Sequence, residues 1–209
     1  MLSILLIDDH DIIRAGLRQI LIKEFPSAKI EEVSQAEDAI IKVIDTKFDV
    51  VICDLTMPGR SGLDVVKQIK KTNPKLPVLI LSMHPEEEYA IRALKAGAAG
   101  YLNKANDSVE VIKAIHKVLQ GRKYVSSVIA EKLAEDLEPH NINQPHNCLS
   151  DREFYIFKLI ADGKSVSAIA KQLSLGITTI STHRARILNK MGLKSNADLT
   201  KYAIQYNLL

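Results

Sequence analysis

The sequence predicts an α/β domain with a doubly wound, five-stranded parallel sheet, followed by a small all-α domain of four helices. Residues 1–121 alternate five short runs rich in Val, Ile and Leu with longer segments of helical periodicity. Four of these runs are almost continuously apolar, as expected of parallel strands that are buried on both faces. From residue 149 onward, the periodicity is helical throughout, which predicts a separate helical domain.

Each apolar run in the first part is followed by a segment with one apolar stripe. The predicted strands are 4–7, 30–33, 50–53, 78–81 and 99–102, and the predicted helices are 12–25, 36–45, 62–73, 86–96 and 108–121. In the last helix, Val109, Ile112, Ile115 and Leu119 form the stripe that faces the sheet. Parallel strands need crossover connections, so these helices cover both faces of the sheet.

The pattern changes after Gly121. A further helix is predicted at 126–137, and residues 138–147 have the proline- and asparagine-rich composition of a linker. Four helices follow at 151–161, 165–173, 178–191 and 196–206, the first with the capping-box spacing of Ser150 and Glu153. The predicted organisation is therefore a first domain at 1–121, a linker helix and flexible linker at 122–147, and a helical domain at 148–209.

The charge of the chain is unevenly distributed. Its 209 residues carry 28 basic and 25 acidic side chains, a net charge of +3. Residues 148–209 hold 9 basic and 4 acidic side chains, a net of +5, which leaves 19 basic and 21 acidic ones, a net of −2, in residues 1–147. This asymmetry indicates an anionic partner for the helical domain alone.

The sequence favours a cytoplasmic protein. Its two cysteines, Cys53 and Cys148, lie far apart and outside any metal-binding pattern, which fits a reducing compartment. The first residues lack the pattern of a signal peptide, and no apolar run approaches the length of about 18 residues needed to span a membrane. We therefore expect no membrane association.

Polar side chains follow the ends of four predicted strands. They are Asp8, Asp9, Asp54, Ser82 and Lys104. The carboxyl ends of strands are where open α/β sheets gather functional groups, and three carboxylates in one site need a cation or raised pKa values. Oxygen ligands of this kind suit Mg²⁺, with the lysine and the hydroxyl on a phosphate and Asp54 as nucleophile. Taken one by one, these residues also fit turns, helix caps and a solvated surface charge.

Residues 1–121 resemble the receiver domain of two-component response regulators, which has a flavodoxin-like fold. The resemblance is carried by IDDH, VVICDLTMPGRSGLD, LILSMH and AGAAGYLNK at the ends of the predicted strands. It implies that Asp54 accepts a phosphoryl group from the phosphohistidine of a sensor histidine kinase. The residues it implies for Mg²⁺ are Asp9, Asp54, the backbone carbonyl of Thr56 and, through water, Asp8.

The same resemblance implies roles for three further residues. Lys104 binds the acyl phosphate, while Ser82 and Tyr101 form a switch pair in which the hydroxyl moves to the phosphate and the ring turns inward. A phosphoryl group adds nearly two negative charges, so donors nearby reorient toward it. The sequence departs from many receivers at Ala105, where proline is common.

An enzyme is the alternative to a switch. Haloacid dehalogenase-type phosphatases use the same nucleophilic aspartate, hydroxyl, lysine and Mg²⁺, with a second aspartate two residues after the nucleophile as general acid/base, and both aspartates belong to the first strand. Here the nucleophile candidate belongs to the third strand, Thr56 stands two residues after it, and no cap domain is present. Without a proton-transfer group an acyl phosphate persists, which favours a switch over a turnover enzyme, although slow autodephosphorylation is compatible with it.

Residues 165–190 read as helix, tight turn, helix. The inward positions are apolar, and the outward face of the second helix is small, polar or basic, so it suits a DNA major groove. A solvated face of a helical bundle has the same pattern. The segment from Leu149 to the end resembles the LuxR-type helix-turn-helix, which with the receiver identifies a NarL/FixJ-class response regulator.

This second resemblance implies promoter DNA as a partner. The predicted contacts are Thr178, Thr179, Ser181, Thr182, Ala185, Arg186 and Lys190, with Thr179 and Lys190 on phosphates. Ser181, Gly176 and Ala168 depart from common family residues, so the operator sequence cannot be transferred from relatives. We expect a homodimer upon phosphorylation, formed through the receiver or the last helix. Protein binding by the second domain is a further alternative.

Overall fold

The computed structural model describes residues 1–135, 144–206 and 208–209. The chain divides into two compact units, residues 1–133 and 134–209, which are described separately. The first unit contains a five-stranded parallel sheet of order β2-β1-β3-β4-β5. The strands are β1 Ser3–Ile7, β2 Lys29–Val33, β3 Val50–Asp54, β4 Val78–Ser82 and β5 Gly100–Asn103.

A helix follows each strand of this sheet, and the first four helices connect successive strands. The helices that follow the strands are α1 Asp11–Glu24, α2 Ala36–Asp45, α3 Gly62–Thr72, α4 Glu86–Ala96 and α5 Ser108–Leu119. All residues of β3 and β4 are buried, which explains why these strands are continuous apolar runs. The predicted doubly wound α/β fold is confirmed, and the strand and helix ends differ from the predicted ones by at most two residues.

Two glycines allow elements of the first unit to approach each other closely. A Cβ atom at Gly62 would overlap the backbone carbonyl oxygen of Asp54, so glycine lets α3 begin directly against the end of β3. A Cβ atom at Gly100 would lie 2.8 Å from both Cβ and the carbonyl oxygen of Tyr124. Glycine at these positions therefore allows α3 to pack against the carboxyl end of β3, and the chain at Tyr124 to pack against β5.

The segment predicted as a linker contains ordered structure at both of its ends. The backbone N–H of Tyr124 donates to the carbonyl of Ala99 at 2.8 Å, and Tyr124 forms a bridge with Gly100 beside β5. A helix, α6 Ser127–Glu135, follows, and its Ile129 is buried. The last residues of the helix predicted at 126–137 and most of the linker predicted at 138–147 lie outside the described residues.

The second unit is helical. A 3₁₀ helix at Pro145–Cys148 precedes α7 Asp151–Ala161, α8 Val166–Gln172, α9 Ile177–Met191 and α10 Asn196–Gln205. The predicted capping box is confirmed, since the side chain of Ser150 accepts from the N–H of Glu153 and Glu153 accepts from the N–H of Ser150. Phe154, Phe157 and Ile187 form part of its buried core.

The end of the predicted linker belongs to this helical core. His146 is buried, and its Nδ1 lies 2.9 Å from the hydroxyl of Tyr202 on α10. The ring of Tyr202 stacks in turn on that of Tyr206, with ring centroids 4.4 Å apart. Residues 144–147 are therefore packed, although their composition resembles that of a linker.

No helix in the described ranges is long and apolar enough to cross a membrane.

Candidate functional site

The carboxyl ends of β1, β3, β4 and β5 bring five predicted site residues to one edge of the sheet. Asp8 and Asp9 follow β1, Asp54 ends β3, Ser82 ends β4 and Lys104 follows β5. These four strands are consecutive in the sheet order, so their ends lie side by side. The structure therefore places together the residues that the sequence predicted from strand ends alone.

A buried lysine joins two buried aspartates at this edge. Lys104 Nζ lies 2.7 Å from Asp8 Oδ2 and 3.2 Å from Asp54 Oδ1. The side chain of Lys104 is 5% exposed, and those of both aspartates are 4% exposed. An unpaired buried charge costs on the order of several kcal/mol, so each of these three charged groups depends on the others to offset the cost of its burial.

Burial also changes the acidity of Asp54. Removal from water raises its pKa from 3.8 to about 6, an effect that the charge of Asp8 reinforces. Lys104 and the backbone N–H of Thr56 act in the opposite direction, because they stabilise the carboxylate. A carboxylate kept in this environment is poorly solvated, which makes Asp54 suited to react as a nucleophile.

The donor atoms of the acidic residues fit a hard divalent cation. One ligand atom from each of Asp8, Asp9, His10 and Asp54 can be chosen so that all lie within 4.8 Å of one another. Asp9 Oδ1 is covered from solvent and accepts no hydrogen bond of suitable geometry within the described part of the chain, although His10 Nδ1 lies 3.0 Å from it. Three carboxylates around one point, with one oxygen left unsatisfied, match the oxygen-rich ligand set that Mg²⁺ prefers.

Thr56 lies beside this cluster and is half-buried. Its backbone N–H bonds to the carboxylate of Asp54, and its Oγ1 lies 3.1 Å from Nε2 of His84. The predicted metal contact through the Thr56 carbonyl stays a prediction. The side chain of Thr56 thus contacts the loop after β4.

The predicted switch pair is buried, and both members contact the same residue. The backbone N–H of His84 donates to Ser82 Oγ at 3.1 Å, while the Tyr101 hydroxyl donates to the carbonyl of His84 at 2.9 Å. Burial raises the pKa of Tyr101, so its hydroxyl stays protonated and able to donate. With Tyr101 only 3% exposed, its ring is turned inward in this structure.

The second unit presents a separate polar face on α9. All seven predicted DNA-contact residues are exposed: Thr178, Thr179, Ser181, Thr182, Ala185, Arg186 and Lys190. The opposite side of α9 is buried through Ile180, Ile187 and Met191. An exposed helix of 15 residues with small and basic side chains has the dimensions of a major-groove reading helix.

Two of these side chains already have partners inside the unit. Thr182 Oγ1 donates to the carbonyl of Thr178 at 2.9 Å, and Lys190 Nζ donates to Oε2 of the buried Glu153 at 2.6 Å. Thr182 and Lys190 therefore have structural contacts that compete with contacts to DNA.

Sequence reasoning did not select two histidines that contact the first site. His10 Nδ1 lies 3.0 Å from Asp9 Oδ1, and His84 connects Thr56 with Tyr101. The position of His10 directly after the two aspartates is a signal that the sequence offers. The contact of His84 with Thr56 spans 28 residues of sequence, so no local pattern predicts it.

Two family models match the chain. The response regulator receiver domain matches residues 4–116, and the luxR family of bacterial regulatory proteins matches residues 147–203. The chain belongs to the NarL/FixJ-class response regulators, which join a receiver to a LuxR-type DNA-binding domain and regulate transcription. This membership supports the regulator over the phosphatase and over the protein-binding alternative.

Particular relatives cover the whole chain. The sequence is 35% identical to the response regulator UvrY of Escherichia coli strain K12, with 100% of this chain and 96% of UvrY aligned. It is 31% identical to the response regulator GacA of Pseudomonas aeruginosa, with 100% and 98% aligned. Salmonella enterica serovar Typhimurium RcsB, solved bound to the promoter rprA with phosphomimetic BeF₃⁻, is 25% identical, covers 97% of this chain and 98% of its own, and has a TM-score of 0.64.

Proposed function

We propose that Asp54 accepts a phosphoryl group from the phosphohistidine of a cognate sensor histidine kinase, and that this modification controls binding of the second domain to promoter DNA. The observation that carries the proposal is the contact of Lys104 Nζ with both Asp54 and Asp8 at the carboxyl edge of the sheet. A lysine there has a phosphate oxygen to pair with once Asp54 is phosphorylated, and this pairing offsets the added negative charge.

In the proposed transfer, a carboxylate oxygen of Asp54 attacks the phosphorus atom. The new bond joins this oxygen to phosphorus, and the bond between phosphorus and the imidazole nitrogen of the donor breaks. The electron pair of the broken bond leaves with the imidazole. Asp8, Asp9, Asp54 and the carbonyl of Thr56 would hold Mg²⁺, which when bound neutralises charge on the phosphoryl oxygens.

The side chain two residues after Asp54 is not suited to catalyse rapid hydrolysis of the acyl phosphate. Thr56 has no acid–base group, and its hydroxyl contacts His84. We propose on this basis that the acyl phosphate persists and that the protein undergoes at most slow autodephosphorylation rather than enzymatic turnover.

The switch is proposed to run through Ser82 and Tyr101. Ser82 Oγ accepts from the N–H of His84, and its side chain also hydrogen-bonds to Tyr101, so a rotation of this hydroxyl toward the phosphoryl group on Asp54 would exchange that contact. Because Tyr101 donates to the carbonyl of His84, a shift of Ser82 also moves the partner of Tyr101. This coupling is proposed to shift the population of the first unit toward an arrangement that either dimerises or frees the second domain to bind DNA.

For DNA, the proposal places α9 in the major groove of each half-site, bound by a homodimer. Ser181, Thr182 and Ala185 are proposed to face bases, and Thr178, Thr179, Arg186 and Lys190 to lie at the DNA backbone or the groove edge. The RcsB structures provide related examples, with RcsB bound to a promoter and as dimers on DNA. We propose that the protein acts in the cytoplasm, where both of its free cysteines stay reduced.

We further propose a receiver domain at 1–121, a connection at 122–147 and the LuxR-type domain at 148–209. The ordered contacts of Tyr124 and His146 indicate that part of this connection packs on each neighbouring unit.

The test compares wild type with Asp54→Asn, and uses Asp45→Asn, an exposed carboxylate on α2, as the matched control. After incubation with acetyl phosphate and Mg²⁺, intact-mass measurement should find one hydroxylamine-sensitive phosphoryl group on wild type and on the control, and none on Asp54→Asn. Sites selected from random DNA should bind phosphorylated wild type more tightly than Asp54→Asn. Equal DNA affinity and equal oligomeric state for the two proteins would reject phosphorylation control.

A further inference from the structure

The buried side of α9 defines which of its side chains point furthest outward. Ile180 and Ile187 are fully buried in the second unit. At about 100° per residue, Thr182 and Ala185 lie about 200° and about 140° around the helix axis from Ile180. Ser181 lies only about 100° from it, at the side of the helix. Thr182 and Ala185, both exposed, therefore occupy the part of α9 opposite the core.

The hydroxyl of Thr182 is engaged within the helix itself. Its Oγ1 donates to the backbone carbonyl of Thr178, one turn earlier, at 2.9 Å. A threonine hydroxyl has a single proton, so while this bond is made it cannot donate to a base. What the exposed side chain of Thr182 offers a partner is therefore chiefly its Cγ2 methyl group.

Ala185 adds a second methyl group beside the first. Positions three residues apart on a helix are neighbours, with Cβ atoms about 5–6 Å apart. Because the side chain of Ala185 has no polar atom, the outermost part of α9 at these two positions is apolar. The exposed Ser181 and Arg186 lie on either side of it.

In the major groove of DNA, thymine is the base that presents a methyl group. Its C5 methyl group projects from the base edge, where alanine and the methyl group of threonine make apolar contacts. Guanine, adenine and cytosine are distinguished there by hydrogen-bonding groups. Covering such groups with two methyl groups would leave donors or acceptors without partners, which costs free energy. An apolar pair on the reading helix therefore favours thymine.

We propose that Thr182 and Ala185 determine specificity for thymine in each half-site, through contact of their methyl groups with its C5 methyl group. The inference rests on the proposed function, in which α9 enters the major groove, and it adds the base that this part of the helix recognises. It assigns the hydroxyl of Thr182 to the helix and not to the base.

The experiment uses the full chain, after incubation with acetyl phosphate and Mg²⁺, and a site selected from random DNA. Thymine is replaced by deoxyuridine, which lacks only the C5 methyl group, at one equivalent position of both half-sites at a time. Fluorescence anisotropy measures the affinity for each site. We expect one such replacement to weaken wild-type binding by about tenfold, the effect of losing about one buried methyl group in each half-site.

Two variants separate the methyl group of Thr182 from its hydroxyl. Thr182→Val retains the methyl group and should preserve the preference for thymine over deoxyuridine. Thr182→Ser retains the hydroxyl and should reduce this preference to about threefold or less. Thr200→Ser is the matched control, because Thr200 on α10 also donates to the carbonyl four residues earlier, that of Asn196 at 3.2 Å. It should change neither the affinity nor the preference.

Two results would overturn the inference while DNA binding stays intact. A selected half-site that contains no thymine, or that binds wild type equally with deoxyuridine at every position, would show that no thymine methyl group is read. Unchanged affinity and preference in Thr182→Ser, with both reduced in Thr182→Val, would show that the hydroxyl makes the base contact. Failure to select any DNA site would instead reject the proposed function together with the inference.

Discussion

Lys190 Nζ donates to Glu153 Oε2 at 2.6 Å, which joins the C-terminal end of α9 to the first turn of α7. The same oxygen accepts the backbone N–H of Ser150 at 2.8 Å, so the pair is part of the capping box. Burial by itself would raise the pKa of Glu153, but the bonds from Lys190 and Ser150 outweigh it and the pKa is lowered. Lys190, on the exposed face of α9, thus holds this helix, which is proposed to read DNA, to the first turn of α7.

Lys190→Ala should therefore destabilise the folded protein as well as weaken DNA binding. The expected loss in free energy of unfolding is about 1 kcal/mol, since a buried carboxylate loses a charged partner that is itself 41% exposed. Arg186→Ala, on the same exposed face, should stay within about 0.5 kcal/mol of wild type. Urea unfolding followed by circular dichroism measures both, and equal effects of the two substitutions would contradict the structural contact.

The contribution of this pair should depend on pH. Because the folded-state pKa of Glu153 lies below its ordinary value of 4.5, the stabilisation is complete above that value and is lost as the pH falls through the lower folded-state pKa. The stabilities of wild type and Lys190→Ala should therefore converge in acid. A gap that is unchanged between about pH 7 and about pH 3 would refute this explanation.

Asp54→Asn should stabilise the metal-free protein near neutral pH. The folded-state pKa of about 6 lies above the ordinary 3.8, so the folded state binds more protons between these values and wild-type stability falls as the pH rises. Asparagine carries no buried charge, and the variant should gain up to about 3 kcal/mol above about pH 6, at about 1.4 kcal/mol per pKa unit.

Denaturant unfolding in the presence of a chelator checks this expectation. The difference between Asp54→Asn and wild type should be largest near about pH 7 and vanish near about pH 4, where the carboxyl group of Asp54 is protonated, and so uncharged, in the folded wild type. Asp45→Asn, with an exposed side chain, should follow wild type throughout. A variant less stable than wild type at neutral pH would show that the charge of Asp54 is already fully compensated by Lys104.

Gly100→Ala should destabilise the first unit by about 1–3 kcal/mol, the usual cost of overpacking. The new methyl group would lie 2.8 Å from Tyr124 and 2.9 Å from Leu79 Cδ2, so the chain beside β5 must shift. Gly16→Ala is the matched control, because it adds the same atom within α1 with nothing within 4 Å and should raise stability by about 0.5–1 kcal/mol. Thermal unfolding of both variants gives the comparison, and a neutral Gly100→Ala would contradict this packing.

Arg186→Ala should reduce the salt dependence of DNA binding. Each phosphate contact contributes about one to the slope of log affinity against log salt, so loss of one contact lowers the slope by about that amount. Lys201→Ala removes a basic side chain of α10 and should leave the slope nearly unchanged. Fluorescence anisotropy titrations over a range of salt concentrations measure the slopes, and equal slopes for wild type and Arg186→Ala would remove Arg186 from the interface.

The strand ends were predictable because each carries its signal locally. Asp8 and Asp54 each directly follow a fully apolar run, and Lys104 follows the fifth predicted strand after Asn103, so their positions needed only the rule for parallel strands. The contact of His84 with Thr56 and that of Lys190 with Glu153 were not predictable, since each joins distant segments through side-chain rotamers that no sequence period encodes.

The sequence by itself determined the alternation of strands and helices, the capping box at Ser150 and the exposed polar face of α9, because hydrophobic periodicity and local hydrogen bonds act over a few residues. Only the tertiary structure decided which charged groups contact one another. It placed Lys104 between Asp8 and Asp54, and it buried His146 against Tyr202 despite the linker-like composition around it. Electrostatic and packing energies depend on distance in space, and folding fixes these distances after the local pattern is set.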